Sequence, residues 1–334
     1  MSAPKIRLHI HDPKDVGAFA CTPEVWAAAA SRNPAVAAQV EVSFGNEDEL
    51  FHATLPQCDA VMTSTGEGKR LLADAKSLPP KLKIIQMTSA GLNRLAPFGW
   101  VPQGTFLCNN SGTHGAKAGQ WGIMAVLMLA NAMPYFATEA RGEIWGKRFT
   151  HVVGGRTLVS VGVGDMATDT LKHAKYFGMK VIGVRARNIA HEHCDQVVTV
   201  EQLDAVLPQA DCVLLAMPLT PESTGMFSRA RLALMKQGAG LVNIARGEVI
   251  DQEALADALE SGHLGGAVID VTVPEPLPQG HRLWRAPNLT ITPHVSSDDP
   301  DTYTPKTLDI LLRNLDAWRK GERPPTAIDP VRWY

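Results

Sequence analysis

Short apolar runs alternate with longer mixed stretches along most of the chain. From residue 6 to about 110, the runs IRLHI, VEVSF, DAVMTS, KLKIIQMTS and TFLCN are separated by the helical stretches PEVWAAAAS and GKRLLADA. Strands that alternate with helices predict βα units and a parallel sheet. Next, GAKAGQWGIMAVLMLANAMPYFA, rich in Ala, Met and Leu, reads as one long helix ended by Pro134. Its wide apolar surface calls for burial, within the protein or against a partner subunit. A second series opens at Thr157, with strands TLVSV, KVIGV, VVTV, DCVLLAM, GLVNIA, GAVIDV and LTITPH between helical stretches such as LKHAKYF, EQLDAVL, RARLALMK and DQEALADALES. Most of these strands are unbroken Val/Ile/Leu runs, the pattern of parallel strands covered on both faces, so a doubly wound domain is predicted. After His294 the chain turns polar and ends in a long helix, TLDILLRNLDAWRKGE, followed by a Pro-containing tail.

Composition narrows the partners. At 334 residues the chain is long enough for two ordinary domains. With 45% hydrophobic and 20% charged residues it has the makings of a proper core. Lys+Arg is 32 against Asp+Glu 34, a net charge of -2, which gives no electrostatic reason to expect nucleic acid or an anionic membrane as partner. Small molecules are the expected ligands. No stretch approaches the roughly 20 apolar residues of a membrane span, and MSAPKIRLHIHDPKD lacks the apolar core of a signal peptide. The cysteines Cys21, Cys58, Cys108, Cys194 and Cys212 are scattered, without C-x-x-C spacing, which fits a reducing cytoplasm.

The predicted strand TLVSV runs straight into Gly162-Val163-Gly164-Asp165-Met166-Ala167 and then a helix. In that setting G-x-G-x-x-A is a dinucleotide fingerprint. Gly162 permits the tight turn, Gly164 lets the backbone reach a pyrophosphate, and Ala167 permits close helix–sheet packing, while the helix N-terminus supplies amide donors. About twenty residues on, where an NAD site carries a carboxylate for the ribose, the chain reads Val184-Arg185-Ala186-Arg187-Asn188. Guanidinium groups pair with a 2′-phosphate, so NADP is the expected coenzyme, with NAD as the alternative if Arg185 and Arg187 are only solvated loop residues.

Three ionisable residues follow predicted strands, where open α/β sheets place their ligands. Arg246, in Asn243-Ile244-Ala245-Arg246-Gly247-Glu248-Val249-Ile250-Asp251, offers a permanently charged fork suited to a carboxylate. Glu275 lies between Pro274 and Pro276 on a stiff, extended segment. His294 follows Pro293 and titrates near neutral pH. Each has a bland reading as an ion pair, a surface loop or an exposed histidine; the combination downstream of a nucleotide turn points to chemistry. His191-Glu192-His193-Cys194-Asp195 is dense in metal-ligand types but lacks H-E-x-x-H spacing, so a solvated loop and no metal are expected. Trp145 and Trp284 are candidates to border the site or to sit in the core.

Taken together, G-x-G-x-x-A, N-x-x-R-G-x-x-x-D (Asn243 to Asp251), D-V-x-x-x-E-P-L-P (Asp270 to Pro278) and T-P-H (Thr292 to His294) resemble, in this order and spacing, the D-isomer-specific 2-hydroxyacid dehydrogenase family. The resemblance extends over nearly the whole chain, including Ser89-Ala90-Gly91, Pro218-Leu219-Thr220 and the closing Asp329-Pro330-Val331-Arg332-Trp333-Tyr334. It implies an α/β fold of two Rossmann-like domains with parallel sheets. A flavodoxin-like substrate domain would span 1–111 and 297–334, a dinucleotide-binding domain 112–296, and the active site the cleft between them. It implies reduction of a small 2-oxo acid, such as glyoxylate or hydroxypyruvate, to the D-2-hydroxy acid. Arg246 would bind the substrate carboxylate and polarise its carbonyl, His294 would be the acid/base, and Glu275 would pair with His294. Ser89, Ala90 and Gly91 would help hold the substrate. Asp270 would contact the nicotinamide carboxamide, and Asp165, Met166, Met217, Pro218, Thr224, Ile244 and Ala245 would line the coenzyme with Gly162 and Gly164. A homodimer through the nucleotide domain is implied as well. Gln120, Ala167, Thr272 and Arg282 depart from the family's usual residues without touching the Arg/Glu/His set. Two other readings use the same scaffold: oxidation of phosphite or another acid, and a nucleotide-sensing protein like the C-terminal-binding-protein corepressors. Glu275 argues against formate oxidation, which goes with glutamine there. The substrate side chain would be selected by loops near Thr63 to Gly66 and Thr88 to Gly91, which carry no motif of their own.

Overall fold

The apolar runs form twelve strands among the residues that a computed structural model describes, 4–75 and 77–333. Tyr334, the end of the closing motif, lies outside the described residues. The chain divides into two compact units, one built from residues up to Thr113 and from Asp299 on, the other from His114–Asp298.

In the first unit β1 (Ile6–His11), β2 (Val40–Gly45), β3 (Ala60–Thr63), β4 (Ile84–Met87) and β5 (Phe106–Cys108) make a parallel sheet in the order β2-β1-β3-β4-β5. This is the flavodoxin-like order, which reverses direction between β1 and β3. Successive side chains point to opposite faces, and both faces are covered. Leu8, Ile10 and Ile84 pack with Leu308, Leu311, Leu312 and Leu315 of the helix Tyr303–Arg319, while Val61 and Ile85 pack with Phe51, Leu55 and Leu72.

The same alternation buries two histidines of β1 against the ring of Phe51. His9 Nδ1 lies 2.9 Å from Ser43 Oγ, but His9 Nε2 and His11 Nδ1 are buried without a hydrogen-bond partner. Burial, and then the proximity of His11, pushes His9 down from 6.5 to about 4. Because the unfolded chain takes up this proton first, stability should fall as pH drops from about 6.5 towards 4. Between about pH 6.5 and 5 the loss from His9 should approach about 2 kcal/mol. Urea unfolding at those two pH values measures it, and an unchanged midpoint would contradict it.

In the second unit β6 (Thr157–Val161), β7 (Lys180–Arg185), β8 (Gln196–Thr199), β9 (Cys212–Leu215), β10 (Ala239–Asn243), β11 (Leu264–Ile269) and β12 (Leu289–Ile291) form a parallel sheet ordered β12-β11-β10-β9-β6-β7-β8. This is the dinucleotide-binding order with one added strand, and its direction reverses between β6 and β9. Val159, Leu215 and Leu241 face one core layer, Leu158, Leu214 and Val242 the other.

The single long helix expected to end at Pro134 is two helices, Gly115–Ala130 and Met133–Arg141, bent by 66°. Ala132 between them has φ +53°, and Pro134 stands in the first turn of the second helix, where its missing N–H costs no bond. The proline starts a helix rather than ending one. The first helix buries Ala118, Trp121, Ile123 and Val126 in the layer that holds Leu158, Leu171 and Val242, so much of its apolar width is used within its own unit. Among the described residues no single helix is long and apolar enough to cross a membrane. Beyond the second helix, Ile144, Trp145, Phe149 and Val152 are exposed, Trp145 at 92% and Phe149 at 94%.

Candidate active site

The nucleotide fingerprint lies where the sheet order reverses. Gly162, just past β6, has φ +95°, and a Cβ there would stand 2.6 Å from the Ala216 carbonyl oxygen at the end of β9, so only glycine fits. Gly164 precedes the helix Asp165–Tyr176 with no side chain capping the first amides, and a Cβ at Gly164 would meet nothing within 4 Å. A bare helix N-terminus facing open space suits a pyrophosphate. Ala167 is fully buried, as close helix–sheet packing requires. The Asp165 carboxylate lies against Gly115, at the start of the helix Gly115–Ala130, and Met166 packs partly into the core. Arg185, half-buried at the end of β7, has Nη1 3.5 Å from the Ile189 carbonyl, and Arg187 is exposed. Past β9, Met217 is half-buried and Pro218 exposed, and the Thr224 hydroxyl donates to the Thr220 carbonyl at 2.9 Å.

Arg246 owes its position to the residues of its own motif. The Asn243 side chain, at the end of β10, donates to the Arg246 carbonyl at 2.9 Å and accepts from the Ala245 amide at 2.9 Å, closing a turn over the buried Ile244 and Ala245. Gly247 packs directly on the next loop: a Cβ there would stand 2.3 Å from the backbone of Thr272. Asp251 then caps the helix Gln252–Glu260, its Oδ1 accepting from the Ala254 amide at 3.0 Å. The half-buried Arg246 guanidinium donates to the Ala245 carbonyl at 2.6 Å.

Glu275 and His294, nineteen residues apart, meet in space. His294 Nδ1 lies 3.0 Å from Glu275 Oε2, while Glu275 Oε1 accepts from the Thr272 amide at 3.2 Å. A carboxylate only accepts, so Nδ1 carries the hydrogen of this bond and Nε2 is the ring nitrogen left for proton exchange. His294 is exposed and held at φ +57° by Asp270. The Asp270 backbone carbonyl accepts from the His294 amide at 2.8 Å. Its buried carboxylate accepts from the Thr292 hydroxyl at 2.5 Å and from the amides of Val295 and Ser296 at 3.0 and 2.9 Å. Arg246, Glu275 and His294 thus stand after β10, β11 and β12, on adjacent strands of one sheet.

Ser89, Ala90 and Gly91 lie after β4 in the other unit, half-buried. The carbonyls of Ser89 and Ala90 accept from the Asn110 amide and the Asn109 side chain, both at 3.1 Å, and Ser89 Oγ is 3.2 Å from Thr65 Oγ1. The two tryptophans are not core. Trp145 is almost fully exposed, and Trp284, half exposed, donates from its indole to the Pro278 carbonyl at 2.9 Å. In the 191–195 segment the Asp195 carboxylate is taken by Lys175 and the Val181 amide. Another close group of ligand-type side chains, His11, Asp48 and Glu67, has both carboxylates held by Arg70. Sequence reasoning missed Gln252, whose side chain binds the backbone ahead of Glu275, since a glutamine opening a helix carries no signal of its own.

Comparison with known proteins identifies the family. Residues 123–296 match the family model of the D-isomer specific 2-hydroxyacid dehydrogenase NAD binding domain. A glyoxylate reductase of Thermococcus onnurineus is 32% identical over 296 residues, covering 84% of this chain and 86% of the relative. Among solved structures, a D-isomer specific 2-hydroxyacid dehydrogenase family protein from Aeromonas salmonicida superposes with a TM-score of 0.79 at 27% identity, covering 98% of this chain and 99% of the other. A D-isomer specific 2-hydroxyacid dehydrogenase from Xanthobacter autotrophicus, solved with NADPH and MES, gives 0.80 at 24% identity, covering 99% and 100%. With its strand orders, its nucleotide turn and the histidine–glutamate pair beside Arg246's sheet position, the chain belongs to the D-isomer-specific 2-hydroxyacid dehydrogenase family, whose members are oxidoreductases.

Proposed function

We propose that this protein reduces a small 2-oxo acid, such as glyoxylate or hydroxypyruvate, to the D-2-hydroxy acid, and that NADPH is its preferred coenzyme. The observation that carries the reading is the 3.0 Å contact between His294 Nδ1 and Glu275 Oε2, which leaves Nε2 to exchange a proton. The glyoxylate reductase of Thermococcus onnurineus supports the substrate class, and the NADPH bound by the Xanthobacter protein supports the coenzyme.

The residues fit a dinucleotide. The amides around Gly162, Gly164, Asp165 and Met166 would hold the pyrophosphate, and Arg185 with Arg187 the 2′-phosphate. Met217, Pro218, Thr224, Ile244 and Ala245 would line the coenzyme, and the lone pairs left on Asp270 would take the nicotinamide carboxamide. A bound nicotinamide supplies the hydride. Arg246 binds the substrate carboxylate through its fork and draws electron density from the neighbouring carbonyl. Ser89, Ala90 and Gly91 would be further contacts of the substrate. His294, protonated, gives its Nε2 proton to the developing alkoxide, and Glu275 steadies the imidazolium through Nδ1.

Steady-state oxidation of NADPH and NADH with glyoxylate, hydroxypyruvate, pyruvate and bulkier 2-oxo acids tests the reading. NADPH should give the higher kcat/KM. Replacing Arg185 and Arg187 by Ala should lower kcat/KM for NADPH by about 10–100-fold, as expected for lost charged hydrogen bonds, and leave NADH within about twofold. Equal kcat/KM for the two coenzymes in the unaltered enzyme would defeat the NADP assignment.

A second copy of the chain is the proposed occupant of the exposed apolar segment Ile144, Trp145, Phe149 and Val152 of the nucleotide unit. Sedimentation should give twice the 36.0 kDa of one chain, and a monomer at micromolar concentration would contradict this.

A further inference from the structure

We propose that Gln252 is a positioning residue for this site: its side-chain amide clamps the backbone of Val273 and so fixes where Glu275 presents its carboxylate to His294. The inference rests on the reading of Glu275 and His294 given above.

Gln252 Nε2 donates to the Val273 carbonyl at 2.6 Å, and Gln252 Oε1 accepts from the Val273 amide at 2.9 Å. One primary amide thus meets both backbone polar groups of a single residue, as a neighbouring strand would. Val273 lies four residues beyond the end of β11, where the ladder has stopped. Pro274 and Pro276 flank Glu275 and have no N–H to give. Within the loop the Thr272 hydroxyl donates to the Pro274 carbonyl at 3.0 Å and the Thr272 amide to Glu275 Oε1 at 3.2 Å, so the backbone at 272–274 helps to orient the carboxylate.

The clamp comes from a rigid place. Gln252 is the first residue of the helix Gln252–Glu260, and the preceding residue, Asp251, caps that helix. Five residues earlier Gly247 abuts Thr272 in backbone contact, next to Arg246. The segment that carries Arg246 and the segment that carries Glu275 are therefore joined twice, by the Gly247–Thr272 packing and by the Gln252–Val273 bonds. Farther along the loop Arg282 pairs with Glu253, Asp257 and Glu260 of the same helix. Those are solvent-exposed ion pairs of little individual worth, and they grip the chain seven residues beyond Glu275. Gln252 grips it two residues before.

Replacing Gln252 by Leu keeps the size of the side chain and removes both bonds. Small displacements of a group that serves the chemistry cost up to about 10²-fold, and an intermediate loss of about 10-fold in kcat is expected for Gln252→Leu. KM for the 2-oxo acid and coenzyme affinity should stay within about twofold. Gln252→Glu is the sharper probe. Ionised, it turns an oxygen towards the Val273 carbonyl and should be as slow as Gln252→Leu at neutral pH. Protonated, it can donate to that carbonyl and accept from the Val273 amide, so its kcat relative to the unaltered enzyme should recover as pH falls below about 5.

Unaltered kcat in Gln252→Leu would overturn the proposal. So would losses in both variants that do not change with pH, the mark of a mere strut. If Gln252→Leu does not fold, the pH course of Gln252→Glu decides alone. His294→Asn and Glu275→Gln measured alongside separate the two levels. If they are slow and the Gln252 variants are not, this inference alone fails; if they keep full kcat, the reading of the site fails and the inference with it.

Discussion

Replacing His294 by Asn is expected to lower kcat for 2-oxo acid reduction by about 10²–10⁴-fold, the usual worth of a positioned general acid. Asparagine suits the test better than alanine. The backbone at 294 has φ +57°, a left-handed conformation that asparagine tolerates, and its side-chain amide can still donate to Glu275 Oε2. The amide from residue 294 to the Asp270 carbonyl is untouched. Fold, loop position and coenzyme affinity should therefore survive, and only the transferable proton is lost. A variant that keeps full kcat would show that the proton comes from elsewhere.

The second large effect belongs to Arg246. Arg246→Gln should lower kcat/KM for 2-oxo acids by about 10²–10³-fold, since it removes both the carboxylate's partner and a positive charge beside the oxygen that becomes an alkoxide. Arg246→Lys should recover only part of this. An ammonium group is a point charge and cannot form the two parallel bonds of a guanidinium. Coenzyme affinity should change little in either variant, because the nucleotide turn is built by Gly162 and Gly164 after β6, independently of the Asn243 turn after β10. Fluorescence titration with NADPH beside steady-state kinetics separates the two. Equal losses in coenzyme binding and turnover would mean that Arg246 supports the fold of the crevice instead of the substrate.

Much of this was legible in the sequence because the signals are local. Unbroken runs such as VLL at 213–215 and LV at 241–242 mark strands buried on both faces, and they lie in the middle of the nucleotide sheet. The Asn243 to Asp251 motif reads as one device. Within it Asn243 closes the turn, Gly247 permits close approach, and Asp251 starts the helix. The helix break at Asn131-Ala132 was not legible. Periodicity ran smoothly through it, and a proline marks a helix start or a helix end depending on a neighbour's φ that composition does not reveal. Nor was the exposure of Trp145, since a large aromatic is expected inside on hydrophobicity alone. The Gln252 clamp was invisible because it spans 21 residues and uses the backbone of Val273, which any residue other than proline would offer. His9 and His11 show the reverse case. A polar residue within IRLHIH looks like the solvent side of a strand, yet the strand sits inside a sheet covered on both faces, and both imidazoles are buried.

Whether the protein is a D-specific 2-oxo acid reductase is decided most directly by its product. The purified protein is incubated with NADPH and hydroxypyruvate, and the three-carbon acid formed is resolved on a chiral column. The D-hydroxy acid alone is expected, one molecule for each NADPH oxidised, with loss of both signals together in His294→Asn. Formation of the L-acid, or tight coenzyme binding with no oxidation on any 2-oxo acid, would contradict it.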